Sequence, residues 1–153
     1  MEQSLIIIKP DAVNRGIVGE ILHRFERKGL EIAAIKMVSL KDEVLNEHYA
    51  HHRDKPFFQD LKKFMMESPT IVIVLEGNNV IEIVRKMAGP TQGKEAPPGT
   101  IRGDYSMSHS HNIIHASDSS ESAKKEIKRF FKPEEIFSYQ KIDWEMVYAE
   151  DER

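Results

Sequence analysis

One histidine stands where an imidazole could act on an anionic group. His115 ends the predicted short strand 112–115 and lies three residues before Asp118, which opens a predicted helix. The positive end of that helix would favour an anion close to the ring. Glu126 lies further along the same helix and could fix one ring nitrogen, leaving the other as a nucleophile. A hydrogen-bonded histidine at a strand end has the same local pattern, so both interpretations stay open.

Three cations lie where they could offset the charge of a phosphate. Lys9 follows an apolar run, Arg85 lies near the end of a predicted helix, and Arg102 lies in a long loop that also carries Thr91. A nucleotide site needs several such cations, and arginine is suited to bidentate contact. Each of them could equally be a solvated surface charge, and spacing in sequence does not show whether they converge.

The common glycine-rich phosphate loops are absent from the sequence. Residues 89–95 read Gly-Pro-Thr-Gln-Gly-Lys-Glu, one residue short of the phosphate-loop spacing. Glu95 stands where a serine or threonine should contact magnesium, and no G-x-G-x-x-G occurs. A phosphate site in this chain must therefore be built in another way.

Histidine pairs and adjacent aromatic residues raise two further possibilities. His48 and His52 are four residues apart on a predicted helix and could chelate a metal, but the companion ligands of a structural zinc site do not follow. Phe57 and Phe58 point about a quarter-turn apart on a helix. One of the two rings can therefore be exposed and stack on a nucleobase, while the other joins the core.

Composition limits the classes of protein to which this chain can belong. It has 153 residues, of which 40% are hydrophobic and 31% charged, as in a globular domain. A net charge of −3 provides no basic field for nucleic acid or an anionic membrane. The absence of cysteine excludes disulfides and thiol catalysis. The N-terminal apolar run is too short for a signal peptide or a membrane span, and we expect a cytoplasmic protein.

Short apolar runs alternate with helical periods along the chain. Strands are predicted at Leu5–Ile8, 30–40, 70–75 and 112–115, and the intervening segments are predicted as helices. We expect a helix capped by Asp54, one capped by Asn78 or Asn79, and one opened by 118–121. Residues 89–112 are predicted as a long functional loop, and the tail is expected to pack on the body through Trp144, Val147 and Tyr148. This order favours an antiparallel sheet with helices packed on it.

The motifs together resemble those of the nucleoside diphosphate kinase family from about Leu5 to Tyr148. The resemblance is carried by Ile8-Lys9-Pro10-Asp11, Pro56-Phe57-Phe58, Gly99-Thr100-Ile101-Arg102-Gly103-Asp104 and Asn112-Ile113-Ile114-His115-Ala116-Ser117-Asp118-Ser119. It implies a single nucleoside diphosphate kinase domain over residues 1–153, with an α/β (α+β) ferredoxin-like antiparallel four-stranded sheet and helices packed on it. It also implies a homo-oligomer, either a hexamer or a tetramer.

The same resemblance implies an activity and a role for each motif residue. The γ-phosphate of a nucleoside triphosphate, typically ATP, would pass to a nucleoside diphosphate in a ping-pong cycle through phosphorylated His115. Mg²⁺ would be carried by the nucleotide with no metal ligands from the protein. The implied orienting residues are Tyr49, Ser117 and Glu126, and the implied nucleotide-binding residues are Lys9, Phe57, Arg85, Thr91, Arg102 and Asn112. His109 replaces the apolar or glycine residue of many relatives before Asn112, and it is expected to face the base.

A nucleic-acid-binding module and a non-enzymatic scaffold are the two alternatives to a phosphotransferase. A nucleic-acid-binding module could present bases with aromatic residues on such a sheet, but the negative charge and the lack of interleaved aromatic and basic residues count against it. A non-enzymatic scaffold would have no physical need for Lys9, Arg85, Arg102, Asn112 and His115 together. We therefore expect nucleotides as partners, with no membrane and no specific nucleic acid.

Overall fold

A single antiparallel sheet organises the chain. The computed structural model describes residues 1–139 and 141–152. In this part of the chain the strands are β1 (Glu2–Ile8), β2 (Glu31–Val38), β3 (Thr70–Gly77) and β4 (Ile114–Ala116). Their order across the sheet is β2-β3-β1-β4, and every neighbouring pair is antiparallel. The predicted four-stranded antiparallel sheet is confirmed.

Helices connect the strands and cover the sheet. In chain order they are α1 (Pro10–Asn14), α2 (Val18–Arg27), α3 (Asp42–His48), α4 (Phe58–Met66), α5 (Val80–Ala88), α6 (Ile101–Tyr105), α7 (Ser120–Phe130) and α8 (Trp144–Val147). None of the described helices is long and apolar enough to cross a membrane.

Both faces of the sheet are buried because the central strands are continuously apolar. Alternate residues of a strand point to opposite faces, so Ile6 and Ile8 join one core cluster and Leu5 and Ile7 join the other. The first cluster contains apolar residues of α2 and α5, and the second contains those of α3 and α4. This two-sided burial explains why β1 and β3 lack the alternation of a half-exposed strand.

Two of the predicted helix caps are wrong. The helix expected to start at Asp54 begins at Phe58, because Pro56 disfavours a helical conformation at Lys55. Asn79 occupies the N-cap position of α5 in a left-handed conformation, with a φ of 51°, and makes no side-chain capping bond. The Ile81 N–H of that first turn instead donates to the Glu2 carboxylate at 3.2 Å.

The segment 89–112, which was predicted as a long loop, contains regular structure. It contains a 3₁₀ turn at Gly93–Glu95 and helix α6. Thr100 caps α6 by accepting a hydrogen bond from the Gly103 N–H at 3.0 Å. The predicted start of α7 within 118–121 is confirmed, but the capping residue is Ser119 and not Asp118: Ser119 accepts from the Ser122 N–H at 3.1 Å.

The C-terminal tail packs on the body, as predicted. Val147 contacts Gly29 at the end of α2, and the Asn78 N–H donates to the Tyr148 hydroxyl at 3.4 Å. Trp144 contributes through its ring, whose centroid lies 4.5 Å from that of Tyr148.

Candidate active site

A cleft of about 860 Å³ opens where β1 ends and β4 begins. Because β1 and β4 are antiparallel, Ile8 pairs with Ile114, and the residues that flank this pair meet at one edge of the sheet. Nine of the ten residues to which the resemblance assigns a role line the cleft: Lys9, Tyr49, Phe57, Arg85, Thr91, Arg102, Asn112, His115 and Glu126. The tenth, Ser117, is fully buried behind Glu126. Residues from distant parts of the chain therefore converge, which their spacing could not show.

The ring of His115 is held from behind by a carboxylate. His115 pairs with Ile7 across β1 and β4, so its side chain lies on the α3 and α4 side of the sheet. Glu126 Oε1 lies 3.0 Å from His115 Nε2, and Glu126 Oε2 accepts a hydrogen bond from Ser117 Oγ at 2.5 Å. Burial raises the pKa of Glu126, but hydrogen bonds from His115 and Ser117 outweigh it and hold that pKa below its ordinary value. Glu126 is therefore ionised, and Nδ1 of His115 is the nitrogen left for chemistry in the cleft.

The polypeptide before β4 is held in an unusual conformation. Ile113 has a φ of 74°, in the left-handed region that costs a β-branched residue about 1–2 kcal/mol. Its N–H donates to Asp11 Oδ2 at 3.0 Å, and its carbonyl accepts from the Lys9 N–H at 2.9 Å. These two bonds fix the position of Asn112 beside Lys9. The position of Asp11 in the sequence gave no sign of this contact.

Lys9 and Asn112 form the floor of the cleft. Lys9 Nζ donates to Asn112 Oδ1 at 2.6 Å, and Asn112 Nδ2 donates to the Thr91 carbonyl at 3.0 Å. Burial of Lys9, together with the charge of Arg102, lowers the pKa of Lys9 from 10.5 to about 8. A buried ammonium with so few partners is an attractive site for an anion.

Arg102 holds the backbone around the cleft and also contributes positive charge to it. Its guanidinium donates to the carbonyls of Asn112, Gly89 and Ile114 at 3.1, 2.7 and 2.6 Å. Burial, and then the charge of Arg85, lower the pKa of Arg102 from 12.5 to about 10. A guanidinium has five N–H donors, so two remain for a ligand after these three bonds. Arg85, on α5, lines the same wall.

Of the two adjacent rings, one is exposed in the cleft and the other is buried in the core, as predicted. Phe57 is 41% exposed and lines the cleft, whereas Phe58 is 4% exposed in the core. His52 supports the Phe57 ring edge-on, with centroids 5.2 Å apart. His109 is exposed and also lines the cleft. A half-exposed apolar ring thus lines the same cleft as the cations.

His48 belongs to the cleft, which its spacing from His52 in the sequence did not indicate. It was paired with His52 as a possible chelate, but its ring is 5% exposed and lies edge-on to His115, with centroids 4.6 Å apart. The signal that could have located it is helical spacing, because His48 lies three residues after the fully buried Leu45 in α3. Among the described residues, the metal-type cluster is His48, His115 and Glu126, with ligand atoms within 4.8 Å of one another. His52 does not belong to it.

Fold and cleft together define an antiparallel α/β protein whose cleft gathers dispersed cations around a carboxylate-held histidine, without a glycine-rich phosphate loop. The sequence model of the nucleoside diphosphate kinase family matches residues 2–136. The chain belongs to the nucleoside diphosphate kinase family and transfers phosphate between nucleotides.

Individual nucleoside diphosphate kinases are similar to this chain over nearly its full length. A nucleoside diphosphate kinase from Parabacteroides distasonis is 56% identical over 152 residues, covering 99% of each chain. One from Staphylothermus marinus is 57% identical over 143 residues, covering 94% of this chain and 98% of the relative. The solved structure of a halophilic nucleoside diphosphate kinase from Halobacterium salinarum in complex with CDP superposes with a TM-score of 0.94 at 39% identity, covering 96% of this chain and 98% of that chain.

Proposed function

We propose that this enzyme moves the γ-phosphate of a nucleoside triphosphate, typically ATP, to a nucleoside diphosphate through a phosphohistidine at His115. The observation that carries the proposal is the contact between Glu126 and His115 Nε2 at 3.0 Å. A carboxylate at Nε2 keeps the proton on that nitrogen and the lone pair on Nδ1. The neutral ring is then a nucleophile at its second nitrogen.

The two half-reactions balance without an added acid or base. The Nδ1 lone pair of His115 forms a bond to the γ-phosphorus, and the bond from phosphorus to the bridging oxygen breaks, its electron pair remaining on the departing diphosphate. The positive charge that develops on the ring is offset by Glu126, and the Nε2 proton stays in place. A terminal oxygen of the second diphosphate then attacks the same phosphorus, and Nδ1 recovers its electron pair.

The remaining cleft residues bind the nucleotide. Lys9, Arg85 and Arg102 offset the phosphate charge, and Thr91 contributes a hydroxyl at the same wall. Asn112, which already bonds Lys9 and Thr91, faces the ribose 3′-hydroxyl. Phe57 stacks on the base, and stacking tolerates any base because each has a π face. Tyr49, which packs edge-on against His48, helps to orient the reacting histidine, and Ser117 supports Glu126.

Magnesium fits this cleft as a companion of the nucleotide. The acidic residues lining the cleft are bound to protein groups: Glu47 to Arg129, Glu126 to His115, and Asp118 to Ser122 and Ser119. A protein cage of carboxylates is therefore not available, in keeping with the tendency of Mg²⁺ to retain water and bind substrate phosphates. When bound, it neutralises charge on the phosphate oxygens.

Assembly and compartment are part of the proposal. The outer strand β2 leaves Ile35 48% and Met37 59% exposed, an apolar surface suited to contact between subunits. We expect a hexamer or a tetramer, which light scattering after size exclusion distinguishes from a monomer. A chain without cysteine is compatible with the reducing cytoplasm, and cell fractionation tests that placement.

Incubation with γ-labelled ATP tests the mechanism. We expect an acid-labile, base-stable phosphoprotein that disappears in His115→Gln and is discharged by nucleoside diphosphates. An unlabelled wild-type protein would contradict the phosphohistidine. The CDP in the halophilic relative makes CDP a suitable first acceptor. Equal rates across a panel of diphosphates would support recognition by stacking, and a strong preference would point to His109.

A further inference from the structure

His48 is almost wholly enclosed at the back of the cleft, yet it lines the cleft beside the reacting histidine. Its ring packs edge-on against His115, Tyr49 and Phe130, with centroid separations of 4.6, 4.7 and 5.5 Å. The mechanism described above uses neither His48 nor Arg129, which contacts its ring nitrogen.

Arg129 determines which nitrogen of His48 carries the proton. Arg129 Nη1 lies 3.1 Å from His48 Nδ1, and a guanidinium can only donate. Nδ1 must therefore accept, which places the proton of the neutral ring on Nε2. Glu47 steadies Arg129 through an ion pair, with Nε and Oε1 2.9 Å apart. This contact joins α3 to α7 directly behind the nucleophile.

The ring stays neutral in this setting. Burial, then electrostatic interactions with His115 and Arg129, lower the pKa of His48 from 6.5 to about 2. His48 is therefore a fixed neutral donor over the whole physiological range and takes no part in proton transfer.

Nε2 of His48 is buried and has no hydrogen-bond partner among the residues that the structure describes. A buried donor without a partner is unfavourable, and its natural complement is an oxygen that arrives with a ligand. Lys9 and Arg129 both add positive potential at His48, which favours an anion and opposes a metal ion between His48, His115 and Glu126. The arriving oxygen thus belongs to a negatively charged group next to His115.

We propose that His48 donates its Nε2–H to a non-bridging oxygen of the phosphoryl group as that group passes between nucleotide and His115, and that Arg129 is the positioning residue that fixes the required tautomer. The inference rests on the proposed phosphohistidine mechanism. No proton moves in this contact. The donor is preorganised, so it stabilises the charge on the phosphoryl oxygens without rearrangement at the moment of transfer.

Paired substitutions at His48 separate this function from simple packing. His48→Phe keeps an aromatic ring against Tyr49 and Phe130 but has no donor, whereas the amide nitrogen of His48→Gln can occupy the place of Nε2. In single-turnover phosphorylation by ATP, we expect His48→Phe to slow transfer about 10- to 100-fold. We expect His48→Gln to recover most of that loss. Wild-type rates in His48→Phe, with an unchanged melting temperature, overturn the proposal.

The tautomer provides a test that does not depend on turnover. In ¹⁵N-detected spectra of the resting enzyme, with His48 assigned by its loss in His48→Gln, we expect a protonated Nε2 and a bare Nδ1 from pH 5 to pH 9. Arg129→Met should mix the tautomers and slow phosphorylation. A protonated Nδ1 in the wild type, or an unchanged tautomer and rate in Arg129→Met, overturns the proposal.

Failure of the inference and failure of the proposed function are distinguishable. A wild type that forms no phosphohistidine overturns both. A wild type that is labelled normally, together with a fully active His48→Phe, overturns the role of His48 alone and leaves the function of His115 intact.

Discussion

Glu126 Oε1 in α7 lies 3.0 Å from Nε2 of His115 in β4. The second carboxylate oxygen accepts from Ser117 Oγ, and the Ser117 hydroxyl oxygen itself accepts from the Leu5 N–H at 3.0 Å. The orientation of the imidazole is thus tied through two side chains to the backbone of the central strand. A ring anchored in this way presents one nitrogen to the cleft without losing side-chain freedom during each cycle.

Replacement of Glu126 by Gln should slow phosphorylation of His115 about 100-fold or more. The amide can donate to Nε2, which would place the ring proton on Nδ1 and block the nucleophile, and the charge that offsets the ring is lost. Rapid-quench measurement of the phosphoenzyme checks this. Glu121→Gln, which removes an exposed carboxylate on the same helix, is the matched control and should leave the rate unchanged. Equal rates in the two variants would refute the orienting role.

Activity should fall as pH rises through about 8 because Lys9 loses its charge there. The free ammonium has a pKa lowered from 10.5 to about 8 by burial and by Arg102, and kcat/KM reports groups of the free enzyme. Lys9→Arg keeps its charge throughout and should lack this descending limb. An identical limb in Lys9→Arg would assign it to another group.

The lowered pKa of Lys9 also makes the free energy of unfolding depend on pH. Below pH 8 the folded state holds a charged, buried Lys9, which is unfavourable. Between about 8 and 10.5 the unfolded state binds more protons at this residue, so its contribution to stability rises with pH.

Phe57→Ala should raise the KM for every nucleotide about tenfold or more while leaving the melting temperature nearly unchanged. The ring is 41% exposed, and stacking on a base is worth about 1–3 kcal/mol. Phe58→Ala is the contrasting variant, because that side chain is 4% exposed and its loss should cost about 3–5 kcal/mol of stability. A purine-only effect in Phe57→Ala would argue against base-independent stacking.

Gly103→Ala should destabilise the protein by about 1–3 kcal/mol and weaken nucleotide binding. A Cβ at residue 103 would collide with the backbone carbonyl of Pro97 and crowd Thr100, which would displace α6 and with it Arg102. Thermal unfolding and KM measure the two effects. In Gly19→Ala the added Cβ meets no atom within 4 Å, so this helical control should be neutral or slightly stabilising. Equal melting temperatures for the two variants would contradict the steric argument.

Secondary-structure elements that depend on neighbouring residues could be predicted from the sequence. Continuous apolar runs identified β1 and β3, and the segment 118–121 marked the start of α7, because burial on both faces and side-chain capping depend on neighbouring residues. Capping by Asp54 and by Asn78 or Asn79 was predicted wrongly, because Pro56 delays α4 and Glu2, from another strand, serves the first turn of α5. A cap supplied from far along the chain leaves no sequence signal at the helix.

Sequence by itself determined the types of the reacting groups, a histidine, a carboxylate and three cations, and excluded thiol chemistry and a glycine-rich phosphate loop. It also determined the antiparallel sheet, since residue order and apolar periodicity are local properties. Only the tertiary structure decided that Lys9 would meet Asn112, and that His48 would face His115 with its tautomer set by Arg129. These contacts join residues far apart in sequence. The first exists because antiparallel pairing of β1 and β4 brings two distant segments together, and the second because α3 and α7 pack on the same face of the sheet.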